Sequence, residues 1–297
     1  MSNKKVHISE MFSSFQGEGL YTGKNSIWIR MFMCNLQCDG FGQDDPTNTD
    51  TYQLPYKTFD VANITKIEDL PVWDFGCDSS YTWAKKYKHL VKQYSPSEVC
   101  DELEKLMSGT DGKFIKQEYS MIHTNRHLCI TGGEPLLKKA QLNFIDIYDE
   151  LIKRNNAPLN VTFETNATQL LTPKFSDYIS DNYATIHASC SPKLFTVSGE
   201  QNSKAWNFQA IHQYHRVFDE LSLKFVMTNE DRAWDELDLY LSQIQFPKMN
   251  VYIMPVGATK EQQSETQISA IADRALDRGF NVSGRLHCYM YGNQIGT

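Results

Sequence analysis

Short apolar stretches rich in β-branched and aromatic residues recur along the chain, and they alternate with stretches of helical periodicity. Such stretches predict strands. Six of them predict strands here, at residues 26–33, 127–130, 159–163, 184–188, 221–227 and 251–254. Strands that alternate with helices favour a parallel sheet with right-handed crossovers. The pattern therefore predicts an α/β fold, an open, partial parallel (β/α)6-type barrel.

Four stretches between or after these strands predict helices. Ser95-Pro96-Ser97-Glu98 has the pattern of a capping box with Pro at the first helical position, so a helix should begin there and end near Met107. Apolar residues also recur at helical spacing over 142–154, 234–244 and 268–276.

Residues 39–76 do not follow this alternation of predicted strands and helices. They carry Asp, Asn, Thr, Pro and Gly with little periodicity. We interpret them as a long loop inserted after the first predicted strand, within a single domain that spans residues 1–297. Loops of this length in a compact domain are usually functional lids or disordered segments.

The charge and the hydropathy of the chain exclude several classes of protein. The net charge of -7 argues against a nucleic-acid groove, because phosphate binding needs an excess of Lys and Arg. The chain contains no apolar run of about 18 residues, so no membrane span is expected. Residues 1–7 are polar and show no signal-peptide pattern. We therefore expect a cytoplasmic protein.

Seven cysteines are present, and an odd number in a long chain of this kind does not indicate a disulfide framework. Cys34 and Cys38 directly follow the first predicted strand, and Cys77 lies at the far end of the insertion. Two thiols at this spacing can face one metal centre, although structural cysteines at the same spacing are common. The apolar surroundings of the others favour buried hydrophobic positions for Cys100, Cys129 and Cys190.

Ligands of parallel sheets bind at the carboxyl ends of the strands, and short motifs follow the predicted strands here. Gln16-Gly17-Glu18-Gly19 precedes the first strand, and Arg30 lies within it. The later motifs are Thr131-Gly132-Gly133-Glu134-Pro135, Glu164-Thr165-Asn166-Ala167-Thr168, Ser191-Pro192-Lys193, Leu223-Lys224-Phe225-Val226 and His287. In this order, and together with the cysteines, they resemble the motifs of the 7-carboxy-7-deazaguanine synthase family of radical S-adenosylmethionine (SAM) enzymes.

The resemblance implies a four-iron (4Fe-4S) cluster held by Cys34, Cys38 and Cys77, with SAM on the open iron. The usual Cys-x3-Cys-x2-Cys spacing would place the third ligand at Phe41, so residues 39–76 would be inserted between the second and third ligands. Cys77-Asp78-Ser79 resembles the Cys-Asp-Thr segment of the family, in which the threonine coordinates magnesium. Ser79 would then be the Mg²⁺ ligand.

The resemblance also implies the remaining binding residues. SAM would contact Gly132, Gly133, Glu134, Ser191 and Lys193, with Glu134 on its ammonium group. The pterin substrate would contact Gln16, Glu18, Gly19, Arg30, Glu164 and His287.

Several of these residues have an ordinary alternative. Glu18 and Glu164 could be solvated carboxylates. Arg30 could bind the substrate carboxylate or form a structural salt bridge. The C-terminal segment from Cys288 onward diverges from the usual family ending.

The implied reaction is a radical ring contraction of 6-carboxy-5,6,7,8-tetrahydropterin to 7-carboxy-7-deazaguanine with loss of ammonia. A homodimer and an electron donor such as flavodoxin are implied as partners, with no direct contact to nucleic acid or membrane. Two alternatives stay open. One is another small radical SAM enzyme such as a glycyl-radical activase, which should lack the Gln-Gly-Glu-Gly opening. The other is a non-catalytic, metal-stabilised homologue.

Overall fold

A computed structural model describes residues 5–107, 109, 112–117, 121–123, 126–181, 184–264 and 267–296. The strands in these ranges are β1 (Val6–Phe15), β2 (Asn25–Met31), β3 (Lys92–Tyr94), β4 (Ile115–Gln117), β5 (Met121–His123), β6 (His127–Gly132), β7 (Asn160–Thr165), β8 (Thr185–Cys190), β9 (Glu220–Met227), β10 (Val251–Pro255) and β11 (Asn281–Val282). The helices are α1 (Pro55–Thr58), α2 (Pro96–Leu106), α3 (Lys138–Lys153), α4 (Pro173–Ser180), α5 (Phe195–Ser198), α6 (Asn202–Ala205), α7 (Phe208–Val217), α8 (Asp231–Ser242), α9 (Gln267–Arg278) and α10 (Leu286–Tyr291).

A single open sheet organises the fold. Its strands follow the order β11-β10-β9-β8-β7-β6-β2-β1-β3. The six strands predicted from the sequence are β2, β6, β7, β8, β9 and β10, and each pairs in parallel with the next. The prediction of an open parallel α/β sheet is confirmed. The carboxyl ends of these six strands consequently meet at one edge.

Strand β1 was not predicted. It pairs antiparallel with β2 from Ile8 opposite Met31 to Phe15 opposite Asn25. Polar side chains such as Ser9, Glu10 and Ser14 are buried in β1, so its inward positions do not follow an apolar pattern. The insertion therefore follows the second strand of the chain. The Gln16–Gly19 turn joins β1 to β2 at the amino end of β2, since Phe15 pairs with Asn25.

The four predicted helices correspond to α2, α3, α8 and α9. The capping box of α2 is present: Ser95 Oγ accepts from the Glu98 N–H at 3.2 Å, and Glu98 accepts from the Ser95 N–H at 2.6 Å. Helices pack their apolar side on the sheet, where Phe163 of β7 contacts Phe144 and Phe175 edge to face. Helices α4 and α7 were missed because each is short and partly polar.

The segment between Cys38 and Cys77 is folded rather than extended. It contains α1 and single 3-10 turns at Thr49–Thr51 and Ile67–Asp69. A separate hydrophobic cluster holds it together, and this cluster continues past Cys77: Tyr56, Ile67, Leu70, Trp73, Tyr81, Ala84, Tyr87 and Leu90. Aromatic residues spaced without periodicity build this cluster, so the sequence pattern resembled a plain loop.

Within the ranges described, no helix combines the length and the apolar character needed to cross a bilayer.

Candidate functional site

One cavity lies at the carboxyl ends of the parallel strands. It brings together most of the site residues predicted from the sequence, and its lining includes Gln16, Glu18, Arg30, Cys34, Cys38, Cys77, Ser79, Gly132, Gly133, Glu164, Ser191, Lys193 and His287. Gly19 and Glu134 are absent from that lining.

Three cysteine thiols lie on one wall of the cavity. Cys34, Cys38 and Cys77 belong to the same small apolar cluster, and all three are free thiols. Burial raises the pKa of Cys34 to about 11 and that of Cys77 to about 12, and it also raises the pKa of Cys38. Cys77 and Cys34 also contribute to the raised pKa of Cys38, and Cys34 contributes to that of Cys77. Such thiols stay protonated near neutral pH unless a cation compensates the charge of the thiolate.

The three thiols fit an iron-sulfur cluster better than a single ion. In the described part of the chain, no group of three or more His, Cys, Asp or Glu side chains converges on one metal position. Cluster ligation does not require that convergence, because each thiolate binds a different iron. The donor set of three cysteines on one wall therefore fits the group that the sequence resemblance implies.

Backbone contacts fix the loop that carries Cys34 and Cys38. Glu200 accepts from the N–H groups of Gln37 at 2.5 Å and Cys38 at 2.8 Å. Cys38 itself has a positive φ of 55°. On the other side, the Glu134 N–H donates to the Met33 carbonyl at 2.8 Å, which seats Gly133 against this loop. A side chain at Gly133 would overlap the Met33 carbonyl and would lie 2.7 Å from Cys34 Cβ.

The residues predicted to bind SAM divide into two groups. Gly132, Gly133, Ser191 and Lys193 line the cavity, and Lys193 Nζ donates to Ser191 Oγ at 2.9 Å. Glu134 does not reach the cavity. It is fully buried, and its two carboxylate oxygens accept from Leu136 N, Thr165 Oγ1 and Asn166 N at 2.7–2.8 Å.

Glu134 has a structural role in addition to the SAM contact that the resemblance implies. Its hydrogen bonds hold the end of β7 and the adjacent Asn166, whose amide points towards Cys34 Sγ at 3.9 Å. Burial raises the pKa of Glu134 to about 7.

The opposite wall carries an array of charged groups. Gln16 Nε2 donates to Glu164 Oε1 at 2.9 Å. Lys224 Nζ donates to Glu18, and it lies 3.8 Å from Glu164 Oε1. Although burial opposes ionisation of Glu18, the charges of Lys224 and Arg285 hold its pKa well below the usual 4.5. These polar groups are fixed by one another before any ligand is bound.

The C-terminal segment completes this wall. Leu286 N donates to the Gly17 carbonyl at 2.8 Å, and Gly19 N donates to Ser283 Oγ at 2.7 Å. Gly19 thus anchors the turn rather than lining the cavity. A side chain at Gly17 would overlap the His287 ring, so glycine is required for His287 to lie where it does, 3.9 Å from Glu18 Oε1.

Arginine side chains surround the predicted magnesium ligand. Arg285 Nη2 donates to Asp78 at 2.6 Å, and Ser79 Oγ donates to the other Asp78 oxygen at 3.1 Å. Arg30 Nη1 lies 3.4 Å from Ser79 Oγ. A divalent cation needs oxygen ligands with free lone pairs, and nearby positive charges oppose its binding. The residues around Ser79 do not fit Mg²⁺.

The sequence left two roles open for Arg30, a structural salt bridge and a contact with the substrate carboxylate. Arg30 forms a salt bridge with Glu10, Nε to Oε1 at 2.5 Å, and it also lines the cavity. Tyr81 donates to the same Glu10 oxygen at 2.8 Å. The structural salt bridge is therefore present, while the outer edge of the guanidinium faces the cavity near Ser79.

Similar sequences cover nearly the whole chain. No family model matches the sequence. A 7-carboxy-7-deazaguanine synthase from Hyperthermus butylicus is 26% identical over 287 residues, which cover 96% of this chain and 92% of that relative. Relatives of the same name from Rhodopirellula baltica and Escherichia coli K12 are 24% and 26% identical and cover 100% and 95% of this chain, and 90% and 97% of their own lengths.

Over nearly its whole length, the chain is similar to proteins named 7-carboxy-7-deazaguanine synthase. A solved structure, the crystal structure of QueE from Escherichia coli, has the same fold, with a TM-score of 0.52, 19% identity and coverage of 95% of both chains.

Sequence reasoning missed four residues of the site: Glu10, Glu200, Arg285 and, as a charged group, Lys224. Lys224 carried a usable signal, since a lysine between apolar residues of a buried strand needs an acidic partner. Arg285 follows none of the predicted strands and belongs to no motif. Only the return of the C-terminal segment to the Gln16–Gly19 turn brings it into the site.

Proposed function

We propose that this chain is a 7-carboxy-7-deazaguanine synthase that converts 6-carboxy-5,6,7,8-tetrahydropterin to 7-carboxy-7-deazaguanine, with loss of ammonia. The observation that carries the proposal is the division of one cavity into two walls. Three free thiols and a glycine turn form one wall, and a preformed set of carboxylates and cations forms the other. Radical SAM chemistry on a polar ring substrate requires both on the same cavity.

The charged wall suits a flat heterocycle rich in N–H groups. Glu164 and Glu18 offer carboxylate oxygens, and Gln16 and Lys224 hold them in place. Carboxylates accept from paired ring and amino N–H groups with good geometry. Phe12 and Trp28, stacked with ring centroids 5.6 Å apart, line the cavity beside them and supply an apolar surface for the ring.

Arg30 is the residue that receives the substrate carboxylate in this proposal. Its salt bridge to Glu10 uses Nε and fixes the plane of the guanidinium. The remaining nitrogens face the cavity near Ser79. A guanidinium fixed in this way can bind a second carboxylate with two parallel hydrogen bonds.

Cys34, Cys38 and Cys77 would hold the 4Fe-4S cluster, and Gly132, Gly133, Ser191 and Lys193 would surround SAM. When bound, the cluster and SAM supply the one-electron chemistry that begins the reaction by removing a hydrogen atom from the pterin. The chain's own residues exclude water from this step and orient the ring. The proposal further includes a reduced electron donor such as flavodoxin, and a homodimer, which rest on the resemblance to the family. It does not include a magnesium ion at Ser79.

An anaerobic assay of the reconstituted holoenzyme tests this function. The protein, SAM, a chemical reductant and 6-carboxy-5,6,7,8-tetrahydropterin are incubated together, and the product is identified by ultraviolet absorbance and mass. We expect 7-carboxy-7-deazaguanine to form. The matched control is Cys34→Ala, which should form none. Cleavage of SAM without any conversion of the pterin would contradict the proposal and would favour a different radical SAM substrate.

A further inference from the structure

We propose that the Arg285 guanidinium takes the place of the divalent cation beside Ser79, so that this enzyme works without magnesium. The inference rests on the proposed function, and it assigns to Arg285 a positioning role within that site. It also identifies this chain as one in which a fixed organic cation organises two carboxylates that would otherwise attract a metal.

Arg285 is held on three sides. Its Nε donates to Glu18 Oε1 at 2.8 Å, its Nη2 to Asp78 Oδ2 at 2.6 Å, and its Nη1 to the Gly257 carbonyl at 2.9 Å. The side chain is 11% exposed. A planar guanidinium bound on three edges has one orientation, so its charge is fixed between the two carboxylates.

The backbone around Arg285 is fixed as well. Leu286 N donates to the Gly17 carbonyl at 2.8 Å, and Cys288 Sγ donates to the Ala258 carbonyl at 3.4 Å. The guanidinium therefore cannot leave the site by a simple rotation of the segment, and a metal ion would have to compete with it for Asp78.

Both oxygens of Asp78 already accept a hydrogen bond, so a metal ion would have to compete with a donor at each of them. One Asp78 oxygen accepts from Arg285, and the other accepts from Ser79 Oγ. The Arg30 guanidinium closes the remaining side of Ser79 at 3.4 Å. A divalent ion here would lie between two positive side chains and would share its only carboxylate ligand with one of them.

Arg285 also fixes the orientation of the Glu18 carboxylate, as a bound metal ion would. Glu18 accepts from Lys224 and from Arg285, one on each carboxylate oxygen. A carboxylate clamped in this way keeps one orientation towards the cavity. Loss of Arg285 would free Asp78 and one oxygen of Glu18 next to the Ser79 hydroxyl, which is a set of hard oxygen ligands suited to Mg²⁺.

The first experiment compares turnover with and without magnesium. The reconstituted holoenzyme is treated with EDTA, desalted and assayed with the tetrahydropterin and SAM, with or without millimolar Mg²⁺. The wild-type rate should change by less than about twofold. Arg285→Gln should lose about tenfold or more without Mg²⁺ and should regain most of that loss when Mg²⁺ is added.

Two further variants separate charge from folding. Arg285→Lys keeps the positive charge, so it should stay independent of Mg²⁺ even if its rate falls. Arg232→Gln removes an exposed arginine that pairs with Glu230 and Asp45, and it should behave like the wild type. Circular dichroism spectra check that each variant is folded.

The second experiment does not depend on turnover. Mn²⁺ is titrated into each cluster-loaded protein, and bound ion is measured by electron paramagnetic resonance. We expect no site near Ser79 in the wild type and one site in Arg285→Gln, which Ser79→Ala removes in the double variant. If no pterin is converted by any protein, the proposed function fails, whereas this titration still decides the role of Arg285.

Either of two results would overturn the inference. One is a wild-type enzyme that Mg²⁺ stimulates severalfold or that binds one Mn²⁺ lost in Ser79→Ala. The other is an Arg285→Gln protein that is folded but neither responds to Mg²⁺ nor binds Mn²⁺. The wild-type measurements alone keep the proposal testable if Arg285→Gln does not fold.

Discussion

Glu200 Oε1 accepts the backbone N–H of Cys38 at 2.8 Å, and this contact ties the turn between α5 and α6 to the cysteine loop. The same oxygen accepts the Gln37 N–H, and Lys204 pairs with the other oxygen at 3.1 Å. A carboxylate that satisfies two adjacent N–H groups holds a loop in one conformation. Glu200 therefore positions the backbone of Cys38, one of the three proposed cluster ligands.

We expect Glu200→Ala to weaken cluster retention. It leaves two N–H groups near Cys38 unpaired, at a cost of about 1–3 kcal/mol. The measurement is the rate of iron release to a ferrous chelator, which should rise several-fold. Glu236→Ala is the matched control, because Glu236 accepts two backbone N–H groups at Phe195 and Thr196, at 2.8 and 2.9 Å, away from the cysteines. Equal iron release in the two variants would contradict a positioning role for Glu200.

Cys34→Ala, Cys38→Ala and Cys77→Ala should each lose the brown iron-sulfur chromophore after anaerobic reconstitution. Each variant removes one of the three thiols that share the cavity wall. Cys100→Ala should keep the chromophore, since Cys100 is buried in α2 and contacts the Ile147 carbonyl. A Cys77→Ala protein with a full cluster and normal SAM cleavage would remove Cys77 from the ligand set, and with it the idea that residues 39–76 lie between two ligands.

Glu164→Gln should keep the cluster and SAM binding but lose about 100-fold in conversion of the pterin, because a carboxylate that accepts ring N–H groups is replaced by a neutral amide. The initial rate of 7-carboxy-7-deazaguanine formation is the measurement. Glu18→Gln should behave in the same way. Glu150→Gln, on the outer face of α3, serves as the control and should leave the rate unchanged. Normal turnover in Glu164→Gln would remove this residue from the substrate site.

Gly133→Ala should destabilise the protein and impair the cluster. The new methyl group would overlap the Met33 carbonyl and press on Cys34, at a cost of about 2–3 kcal/mol. Thermal unfolding of the apoprotein and the absorbance of the reconstituted protein measure the two effects. Gly109→Ala is the control, since nothing lies within 4 Å of its added methyl group. Equal thermal unfolding midpoints and equal cluster content for both variants would show that the Gly132–Gly133 turn can adjust to the added methyl group.

Two buried histidines should make the fold less stable as the pH falls below about 6.5. His127 and His187 are buried against Tyr21, with ring centroids 4.6 and 5.2 Å from its ring. Burial lowers the pKa of His127 from the usual 6.5 to about 4 and that of His187 to about 3. The unfolded chain binds these protons first, so the free energy of unfolding falls as the pH drops from 6.5 towards 4.

Urea unfolding at a series of pH values measures this effect. The double variant His127→Gln, His187→Gln should show a flatter profile between about pH 6.5 and pH 4.5, because its amides do not take up protons. Identical slopes for the variant and the wild type over that interval would show that other groups govern the loss of stability.

The sheet was predictable because each parallel strand is a short apolar run that does not depend on distant residues. For that reason the sequence identified six strands, which are β2, β6, β7, β8, β9 and β10, and the capping box at Ser95. Strand β1 was not, because its buried Ser and Glu side chains are matched by partners such as Arg30 and Tyr81 that lie far away in the chain.

The same distinction between local and distant determinants applies to the site. Residues at strand ends, such as Cys34, Glu164 and Lys193, were placed correctly in one cavity by the rule for parallel sheets. Glu134 was placed in the cavity by its motif, but hydrogen bonds to β7 turn it inward. The metal at Ser79 was inferred from one hydroxyl, and the pairing of Asp78 with Arg285 could not be read from positions about 200 residues apart.

The hydrogen bonds from residues 283–286 to the Gln16–Gly19 turn also bear on how the protein is made. Synthesis proceeds from the N-terminus, so all three cluster cysteines leave the ribosome long before Ser283, Arg285 and His287 exist. Until those residues emerge, Glu18 lacks one of its two cations and the turn lacks its anchors. The set of charges around Glu18 is therefore completed late in synthesis, well after the three thiols are present.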